Sequence, residues 1–374
     1  MIIKTVSYGG PGASFNRAGR IVTVTDGSGS IEKFYGKLGE TVKEVKIVNT
    51  QPNPATYTTE YEFDSWGRLQ KLIYPDGEVL TYQYDSGGLL SSASSMKSGV
   101  YTDFLTRLEY DKFGQRVFQD LSSGTQTFYT YDNQNRRLTR LVTSNAGVNN
   151  IQDITYGYDD NDNVTSYTGA TPLPKGQNYG GPVSQTYTYD DLNRLTSAGG
   201  TYREKNQYSL NLTYDSVHNI LNKNQQHWEV KKNGNAIYDK TSYNFAYKYN
   251  ADQPHAPSEI GERMFSYDLN GNQTGWQNIN NGTYRSIVWD DENRIQSVSD
   301  GGSTSNYVYD FSGERVIKRT SQGETVYVNQ FYTVRNGSVE SKHYFAGTSR
   351  IASQLSGHKY YYHPDHLGST NYVT

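Results

Sequence analysis

The sequence predicts an all-β protein made of tandem hairpin repeats, and three observations lead to this fold class. The 374 residues include 35 tyrosines, 12 phenylalanines and 4 tryptophans, and aromatic side chains suit the half-buried surface of a pleated sheet. A dipeptide of an aromatic residue followed by aspartate recurs along the chain. No segment repeats its apolar residues with the 3.6-residue period of an amphipathic helix.

Composition and charge exclude several classes of function. The net charge is −3 and the charges are mixed, so no nucleic-acid partner is predicted. No apolar run approaches the ~20 residues of a membrane span, and Met1-Ile2-Ile3-Lys4 does not open a signal peptide. The absence of cysteine removes disulfides, thiolate nucleophiles and cysteine-ligated zinc. Mean hydropathy is low, at −0.81, but disordered chains are poor in aromatic residues, so we expect an ordered chain.

The repeated unit is marked by the aromatic–aspartate dipeptide. Its copies are Phe63-Asp64, Tyr84-Asp85, Tyr110-Asp111, Tyr131-Asp132, Tyr158-Asp159, Tyr189-Asp190, Tyr214-Asp215, Tyr267-Asp268, Trp289-Asp290 and Tyr309-Asp310. Tyr249-Asn250 fills the one long gap as a degenerate copy. The steps between successive copies range from 18 to 35 residues. This variation favours a hairpin unit with tolerant loops over a rigid solenoid coil.

A second apolar residue precedes each aromatic residue by two positions. These residues are Tyr61, Tyr82, Leu108, Tyr129, Tyr156, Tyr187, Leu212, Tyr247, Phe265, Ile287 and Tyr307. Because strand side chains alternate between faces, both members of each pair project from the same face. Stacked across neighbouring strands they would form aromatic ladders, each cross-strand pair stabilising the sheet by roughly 0.2–1 kcal/mol.

The third residue after each aspartate predicts the turn of the repeat. That position holds Gly67, Gly88, Gly114, Asn135, Asp162, Asn193, His218, Gly271, Asn293 and Gly313, residue types that tolerate positive φ. We expect a tight turn whose fourth residue is left-handed and whose aspartate accepts hydrogen bonds from the backbone amides just ahead. A new strand then begins at an apolar residue such as Leu69 or Leu195. Asp76-Gly77 predicts another turn.

The sequence predicts no catalytic, cofactor-binding or metal-binding residue. Each repeat turn offers one or two carboxylates, whereas a calcium loop clusters several oxygen ligands within a dozen residues. His363, Asp365 and His366 form a weak candidate site with metal or acid–base potential. The competing interpretation is that these three pack and hydrogen-bond in a turn. His255, which lies between two prolines, is expected to be a rigid loop element.

Two motifs carry a family resemblance. Residues 61–69 (YEFDSWGRL) and 189–195 (YDDLNRL) resemble the YD repeats of Rhs proteins, of the B and C components of Tc toxins and of the teneurin ectodomain. Residues 360–370 (YYYHPDHLGST) look like the start of the Rhs-associated core module. The opening segment, with Asp26-Gly27 and Phe34-Tyr35-Gly36, reads as a divergent repeat. The resemblance thus covers essentially the whole chain.

The resemblance implies a long sheet that curves, winds as a spiral and closes as a hollow shell. Residues 1–340 would be shell repeats and residues 341–374 the start of the core module. In bacterial members the shell encloses a variable C-terminal toxin, which a self-cleaving core separates from it. The family's aspartyl autoprotease would lie beyond Thr374 and the chain starts within a repeat, so we expect a truncated fragment that is not itself an enzyme.

The expected function is therefore a structural shell segment that encapsulates a toxin or other cargo polypeptide. The parent protein would be secreted or displayed at the cell surface, and the partners would be the remaining repeats and the cargo, with no cofactor. Open sheet edges predict self-association, unless Thr168–Ser184 and Asn222–Asn244 cap them as loops.

The alternative is a cell-surface adhesion or carbohydrate-binding module. Exposed aromatic platforms stack on sugars, and the candidate platforms are Trp66, Trp228, Trp276 and Trp289. Trp289 occupies a repeat position, which favours packing within the sheet for that residue.

Overall fold

The computed structural model describes residues 4–145, 149–171, 180–203, 205–231 and 233–374. These residues form 33 β-strands and no helix, which confirms the predicted all-β class. The described part of the chain therefore holds no helix that could cross a membrane. The chain divides into two compact units. Unit 1 comprises Met1–Gly124 and Ile287–Thr374, and unit 2 comprises Thr125–Ser286.

The first stretch of unit 1 contains β1 (Thr5–Tyr8), β2 (Ile21–Asp26), β3 (Gly29–Tyr35), β4 (Thr41–Val48), β5 (Ala55–Phe63), β6 (Leu69–Ile73), β7 (Val79–Tyr84), β8 (Leu90–Lys97), β9 (Val100–Tyr110) and β10 (Arg116–Leu121). Unit 2 contains β11 (Thr125–Tyr131), β12 (Leu138–Asn145), β13 (Asn149–Tyr158), β14 (Val164–Gly169), β15 (Val183–Tyr189), β16 (Leu195–Tyr202), β17 (Asn206–Tyr214), β18 (Ile220–Val230), β19 (Ala236–Tyr238), β20 (Tyr243–Asn250), β21 (Gln253–Ile260), β22 (Arg263–Tyr267) and β23 (Gln273–Asn278). The boundary between the units falls within β24 (Tyr284–Trp289). The second stretch of unit 1 continues with β25 (Ile295–Asp300), β26 (Ser303–Tyr309), β27 (Arg315–Thr320), β28 (Gly323–Asn329), β29 (Tyr332–Arg335), β30 (Val339–Ala346), β31 (Ser349–Leu355), β32 (His358–Pro364) and β33 (Thr370–Val373).

Strand pairing is antiparallel and local in sequence. Within each described stretch a strand pairs with the next one along the chain, as β5 does with β6 and β15 with β16. The long strand β18 is different, because it pairs with β19 near its end and with β20 near its start. A sheet in which neighbours in sequence are neighbours in space needs no crossover connection.

A β-bulge flanks most of the described repeat turns. Glu62 pairs with Lys71, but the next residue, Phe63, pairs with Leu69. The same shift in register precedes Tyr84, Tyr131, Tyr158, Tyr189, Tyr214, Tyr267 and Tyr309. A bulge adds local twist to the strand that carries it. The repeat aromatic residue thus lies opposite the residue that starts the next strand, which is apolar in six of these repeats but is Gln273 opposite Tyr267 and Arg315 opposite Tyr309.

The predicted capping loops have different outcomes. Asn222–Asn244 is not a loop, because most of it belongs to β18, β19 and the start of β20. Polar residues such as Asn224 and Gln226 occupy alternate positions of β18, so the segment lacks the apolar alternation that marks a half-buried strand. In the other candidate, residues 172–179 lie outside the described residues. Thr168–Gly169 ends β14 and Val183–Ser184 begins β15.

Unit 1 is held together by a core that joins its two stretches. The first stretch contributes the buried side chains of Leu72, Leu80, Tyr82, Ala93, Phe104, Leu105 and Leu108. They pack with the second stretch through Ile317, Val326, Val334, Tyr344, Ile351 and Ala352. Burying one such side chain stabilises a fold by roughly 1.5–3 kcal/mol. The first-stretch residues share the face of the repeat aromatics, since Tyr61 pairs with Leu72 and Tyr82 with Ala93.

Unit 2 has a smaller apolar cluster on β12 and β13. Leu141, Ile154 and Tyr156 are buried, and half-buried tyrosines such as Tyr129 and Tyr167 pack against them. The rings of Tyr156 and Tyr167 meet edge to face with centroids 5.7 Å apart. This cluster lies on the same sheet face as the repeat aromatics of β11–β14.

The compact units do not divide where the sequence modules were predicted to divide. The boundary between residues 340 and 341 falls inside β30, which pairs with both β29 and β31. The split into shell repeats and a core module therefore remains a prediction about sequence modules.

Candidate functional site

The repeat turn is built around one carboxylate, as the turn at Asp64 illustrates. Its Oδ1 accepts hydrogen bonds from the backbone N–H groups of Trp66 and Arg68, both at 2.9 Å. Its Oδ2 accepts a bond from Arg68 Nε at 2.6 Å. The Gly67 N–H closes the turn on the Asp64 carbonyl at 3.0 Å. One side chain thereby satisfies the amides of a turn that has no strand partner for them.

The same carboxylate-to-amide bonds recur in the other described repeats. The accepting residues are Asp85, Asp111, Asp132, Asp159, Asp190, Asp215, Asp268, Asp290 and Asp310. Bonds from the backbone amides ahead hold the pKa of Asp132 below its ordinary value, and the Arg194 N–H does the same for the pKa of Asp190. Asp132 and Asp190 are therefore ionised turn anchors, because a carboxylate that accepts amide bonds favours its charged form.

The left-handed position of the turn is observed at nine of the ten predicted residues. Positive φ occurs at Gly67, Gly88, Gly114, Asp162, Asn193, His218, Gly271, Asn293 and Gly313. The prediction for Asn135 is wrong, because the left-handed residue of that turn is Arg136, at φ 66°. This turn is one residue longer: Arg136 N–H donates to the Asp132 carbonyl, and Tyr131 pairs with Leu138.

Two further segments adopt the same turn. Tyr35-Gly36 closes through bonds from Gly36 N–H to the Glu40 carbonyl and from Gly39 N–H to the Gly36 carbonyl. Gly39 is left-handed, at φ 93°. Gly36 therefore stands where other repeats have aspartate, as expected for a divergent repeat. The turn at Asp365 is the second case and is described below.

In six of the described repeats a tyrosine hydroxyl links the repeat backwards to the one before it. Tyr84 Oη donates to the Leu69 carbonyl at 2.7 Å. Equivalent bonds join Tyr158 to Leu138, Tyr189 to Val164, Tyr214 to Leu195, Tyr249 to Ile220 and Tyr35 to Ile21. The acceptor is the residue that opens the strand after the preceding turn. This bond explains why the repeat aromatic residue is so often tyrosine, since phenylalanine has no hydroxyl to donate.

In six of the ten repeats an arginine or asparagine four residues after the aspartate bonds to its carboxylate and completes the turn. Arg194 Nη1 donates to the carbonyl of Asp215 in the next repeat at 3.2 Å, and its guanidinium lies 4.6 Å from the centroid of the Tyr214 ring. Arg68 lies over Tyr84 in the same way, at 4.4 Å. In other repeats asparagine replaces arginine and bonds to the aspartate of its own turn, as Asn163 does to Asp159.

These contacts differ from the aromatic ladders that the sequence predicted. Among the described residues, the recurring link between repeats is a hydroxyl-to-carbonyl bond backwards and a cation–π contact forwards. Composition alone does not reveal which atom a tyrosine hydroxyl meets, so this role was missed. The sequence does contain a signal for the cation–π contact, because an arginine lies four residues after the aspartate at Arg68, Arg194 and Arg294.

Unit 1 contains a buried ionic cluster between its two stretches. Lys342 Nζ lies 2.8 Å from Asp76 Oδ2 and also contacts Glu78 Oε2. The side chains of these three residues are at most 7% exposed. Lys97 reaches the same Asp76 oxygen from the surface, at 2.6 Å. The Tyr344 hydroxyl donates to Glu78 Oε1 at 3.0 Å. The turn predicted at Asp76-Gly77 thus supplies the acidic side chains of this ion-pair cluster, and the second stretch supplies Lys342.

Burial and ion pairing oppose each other in this cluster. Burial alone would raise the pKa of Asp76, but bonds from Lys342 and Lys97 hold it below its ordinary value. Burial alone would lower the pKa of Lys342, but bonds from Asp76 and Glu78 raise it. Asp76 and Lys342 therefore stay charged near neutral pH, and removing one of them would leave a buried charge without its partner.

The weak candidate site at the end of the chain is a further repeat turn. Asp365 Oδ1 accepts bonds from the Leu367 and Ser369 N–H groups at 2.9 and 3.0 Å, and Gly368 is left-handed. His363 is 1% exposed and its Nε2 lies 2.9 Å from Thr374 Oγ1. Burial lowers the pKa of His363 to about 4, so the ring is neutral. Asp365 is therefore engaged by its own turn, as the packing interpretation of this segment expects.

Within the described ranges, no three histidine, aspartate or glutamate side chains lie together as a metal site. His255 is not in a loop, because Gln253–Ile260 forms β21. Its Nδ1 lies 2.9 Å from Asn219 Oδ1. This bond joins the turn at Asp215 to the strand that follows the degenerate repeat.

The four tryptophans occupy different surroundings. Trp66 lies at the tip of its turn, is 75% exposed and has Arg68 5.0 Å from its ring centroid. Trp228 packs with Tyr238 at 6.2 Å between centroids. Trp276 has Arg263 at 4.3 Å from its ring centroid. Only for Trp66 does the structure give an openly exposed indole.

Comparison with known proteins identifies the repeat. Residues 63–96, which include the turns at Asp64 and Asp85, match the RHS repeat family. Toxin subunit YenC2 of Yersinia entomophaga is 24% identical over 304 residues, which cover 71% of this chain and 30% of that protein. Toxin subunit YenC1 of the same organism is 30% identical over 158 residues, covering 39% and 16%. This chain thus spans less than a third of the length of the curated relatives that it matches.

A solved structure shares the fold. The crystal structure of TcdB2-TccC3 without its hypervariable C-terminal region aligns with 99% of this chain and 21% of that chain. The TM-score is 0.80 and the sequence identity 18%. The alignment covers nearly all of this chain and about a fifth of the other, so this chain shares the fold of part of a longer strand-repeat protein.

Proposed function

We propose that this chain, which belongs to the RHS-repeat family, is a wall segment of a protein shell that isolates a cargo polypeptide. Its role would be structural and not catalytic. The observation that carries the proposal is the repeated joint between repeats, in which an anchored turn, a tyrosine hydroxyl bond and an arginine contact act together. In the repeats that carry the tyrosine or the arginine, these groups bond to the neighbouring repeat, as Tyr214 does to the Leu195 carbonyl and Arg194 to the Asp215 carbonyl.

A wall of this kind has a clear physical basis. Its backbone groups pair with those of neighbouring strands, which limits the exposed edges that promote aggregation. In repeat arrays, stability is approximately the sum of the repeats and their nearest-neighbour interfaces. A wall can therefore be extended by adding repeats without redesigning a central core. The cargo and the remaining repeats would be the partners of this chain, in a protein that is secreted or displayed at the cell surface.

The relatives support a cargo at the C-terminal side. The TcdB2-TccC3 structure is described as lacking a hypervariable C-terminal region, and YenC2 is described as a toxin subunit. A variable segment attached to a constant repeat array is what we expect of a shell that encloses its cargo independently of the cargo's sequence. We extend this organisation to the parent protein of the present chain.

Limited proteolysis of the full-length gene product tests the proposal. The half-life of its C-terminal segment under thermolysin would be compared with that of the same segment expressed alone. We expect at least tenfold slower digestion within the full-length protein. Equal digestion rates would refute enclosure.

A matched pair of variants links protection to the wall. Asp159→Ala with Asp190→Ala removes two turn anchors, and we expect faster digestion of the cargo. Asp160→Ala with Asp191→Ala changes the neighbouring residues and keeps the bonds of Asp159 and Asp190 to the turn amides, so it should leave protection unchanged. Equal effects of the two pairs would show that protection does not depend on the repeat turns.

One observation favours the alternative function of carbohydrate binding. Trp66 presents an exposed indole beside Arg68 at a turn tip, and aromatic faces of this kind stack on sugars. A glycan array with the wild-type chain and Trp66→Ala tests it. Saturable binding that the substitution abolishes would support adhesion, and an array without binding would remove this alternative.

A further inference from the structure

A polar cavity of about 410 Å³ opens on the second stretch of unit 1, across strands β26 to β29. We call it the cationic cavity. It is lined by Ser303, Thr304, Ser305, Lys318, Thr320, Ser321, Gln322, Gly323, Thr325, Tyr327 and Arg335. This described lining contains two cationic side chains, seven hydroxyl groups and no aspartate or glutamate. The cavity therefore offers a ligand hydrogen-bond donors and positive charge, but no negative charge.

Strand register places the two cations on one face of the sheet. Lys318 on β27 pairs with Thr325 on β28, and Thr325 pairs with Arg335 on β29. Residues that lie directly opposite each other on neighbouring strands project from the same face. Lys318 and Arg335 therefore flank the hydroxyl of Thr325.

The other face of the same strands belongs to the core of unit 1. Ile317 pairs with Val326, and Val326 pairs with Val334. All three side chains are buried. Because side chains alternate between faces along a strand, Lys318 and Arg335 point away from this core. The sheet itself thus separates the cationic cavity from the apolar core.

Neither cation of the cavity is neutralised by the described part of the chain. No described side chain forms a hydrogen bond or an ion pair with Lys318 or Arg335. The neighbouring row differs, because Arg319 Nε donates to Glu324 Oε2 at 2.7 Å. Lys318 is half-buried, and a cation that leaves water without gaining a partner is unfavourable. An anion in the cavity would supply the missing partner.

The hydroxyl groups of the cavity are available as further donors. The Thr325 hydroxyl forms no hydrogen bond with the described residues. Thr320 Oγ1 accepts a hydrogen bond from the Gln322 N–H at 3.1 Å, which leaves its own hydrogen to donate. Ser303 and Ser305 line the cavity from β26. Hydroxyl groups rotate to suit their acceptor, so they can follow the oxygens of a small anion.

The charge of the surrounding face is also positive. Within strands β25–β29, this face carries the cations Arg315, Lys318 and Arg335 and one carboxylate, Asp300. Asp300 pairs with Ser303 but is not among the residues that line the cavity. The whole chain has a net charge of −3. The attraction for an anion is therefore local to this face.

We propose that the cationic cavity binds a tetrahedral oxyanion, phosphate or sulfate, either free or as the terminal group of a small ligand. Lys318 and Arg335 supply the charge, and Thr325 donates a hydrogen bond between them. Hydrogen bonds from cationic groups to an oxyanion are among the strong ones in proteins. This binding site is independent of the proposed enclosure of a cargo.

Isothermal titration calorimetry of the 374-residue chain with sodium phosphate tests the inference. Sodium chloride keeps the ionic strength constant. We expect saturable binding at one site per chain. Sodium sulfate should displace phosphate, because it has the same tetrahedral shape, whereas the planar nitrate ion should not. The absence of saturable phosphate binding, or equal displacement by sulfate and nitrate, would overturn the proposal.

Charge-matched variants locate the site. Lys318→Met with Arg335→Met should weaken phosphate binding at least tenfold, because charge-assisted hydrogen bonds are lost. Lys37→Met with Lys240→Met removes the same net charge from two exposed positions and should change binding less than twofold. An equal loss in the two double variants would mean that only the overall charge matters, and would refute the site.

A third variant keeps both cations. Thr325→Val has nearly the same shape as the wild type and lacks the hydroxyl, so we expect about threefold weaker binding or more. It also covers the case in which the methionine pair at Lys318 and Arg335 does not fold, as judged by circular dichroism. Unchanged phosphate binding by Thr325→Val would contradict the placement of the anion between the two cations.

Glucose 6-phosphate distinguishes the two sources of the anion. Tighter binding of this ester than of inorganic phosphate, with no binding of glucose itself, would identify a phosphorylated small ligand. Equal or weaker binding of the ester would identify the free anion as the ligand. Binding of glucose as tight as that of its phosphate would overturn the proposal, because the charged group would then contribute nothing.

Discussion

Replacing Lys342 by methionine tests the role of the buried cluster in unit 1. The side chains of Lys342, Asp76 and Glu78 are at most 7% exposed, and Lys342 lies 266 and 264 residues from its two partners in sequence. Methionine keeps most of the side-chain volume but removes the charge. Glu78 would then be a buried carboxylate without its cation, and Asp76 would keep only Lys97. Removing one partner of a buried ion pair destabilises a protein by about 3–5 kcal/mol.

The surface lysine of the same cluster provides the matched control. Lys97 contacts the same Asp76 oxygen, but its side chain is 44% exposed. Water screens such a pair, so Lys97→Met should cost about 1 kcal/mol or less. A third variant, Lys342→Met with Glu78→Met, removes the charge and its closest countercharge together. It should recover part of the loss, because replacing a buried pair by apolar residues is often close to neutral.

Hydrogen exchange read by mass spectrometry is the appropriate assay. The chain has two compact units, so a single free energy of unfolding is not well defined for the whole molecule. Peptides from β7 and β30 report on the contact directly. A loss of about 3–5 kcal/mol corresponds to faster exchange by a factor on the order of 10²–10⁴. If Lys342→Met accelerates exchange no more than Lys97→Met does, the cluster is not a buried ion pair of the kind described.

Three further expectations follow from the repeat turns and the buried histidine. Asp159→Ala should accelerate hydrogen exchange of its own turn about tenfold, because the turn amides lose their acceptor. Asp160→Ala, one residue away, should leave the exchange rate unchanged. Equal effects of the two substitutions would contradict the anchoring role. Tyr214→Phe should destabilise its repeat by about 1 kcal/mol through loss of one hydroxyl hydrogen bond, measured as local hydrogen exchange. The same change at Tyr238, which is 61% exposed, should be neutral. Equal effects at the two positions would contradict the hydroxyl link between repeats. His363 is neutral in the folded chain, where its pKa is about 4, whereas the pKa of an unfolded histidine is about 6.5. Between these pH values the unfolded state binds one more proton than the folded state. The free energy of unfolding therefore falls as the pH drops from 6.5 to 4, by up to about 3 kcal/mol. His363→Gln should remove this part of the pH dependence of unit 1 melting, and an unchanged profile would mean that the ring is not buried neutral.

Local chemistry made the turns predictable. A turn needs an aspartate, a residue that tolerates positive φ and an apolar residue to start the next strand, and all of these lie within a window of a few residues. That is why Asp64 and Gly67 could be placed from the sequence. The failure at Asn135 has the same local origin, because Arg136 shows that one inserted residue moves the left-handed position without changing the motif around it.

The sequence did not predict strands where polar residues replace the apolar residues of the usual apolar–polar alternation. Residues 222–244 were expected to be a capping loop, but β18 and β20 pair through this segment. Asn222 and Asn224 lie opposite Ala246 and Asn244, so polar side chains occupy positions that would be apolar in a strand covered on one face. The pairing is supplied by the neighbouring strands, and the pattern of one segment alone does not contain it.

The repeat, its turn and the all-β class follow from the sequence by itself, because each depends on interactions between residues that are close along the chain. The face that is covered, and by what, was decided only by the tertiary structure. Lys342 meets Asp76 across 266 positions, and neither residue carries a local signal of the other. Burial of charge is a property of the folded surroundings, so only the assembled layers of unit 1 determine which lysine becomes a buried partner and which stays in solvent.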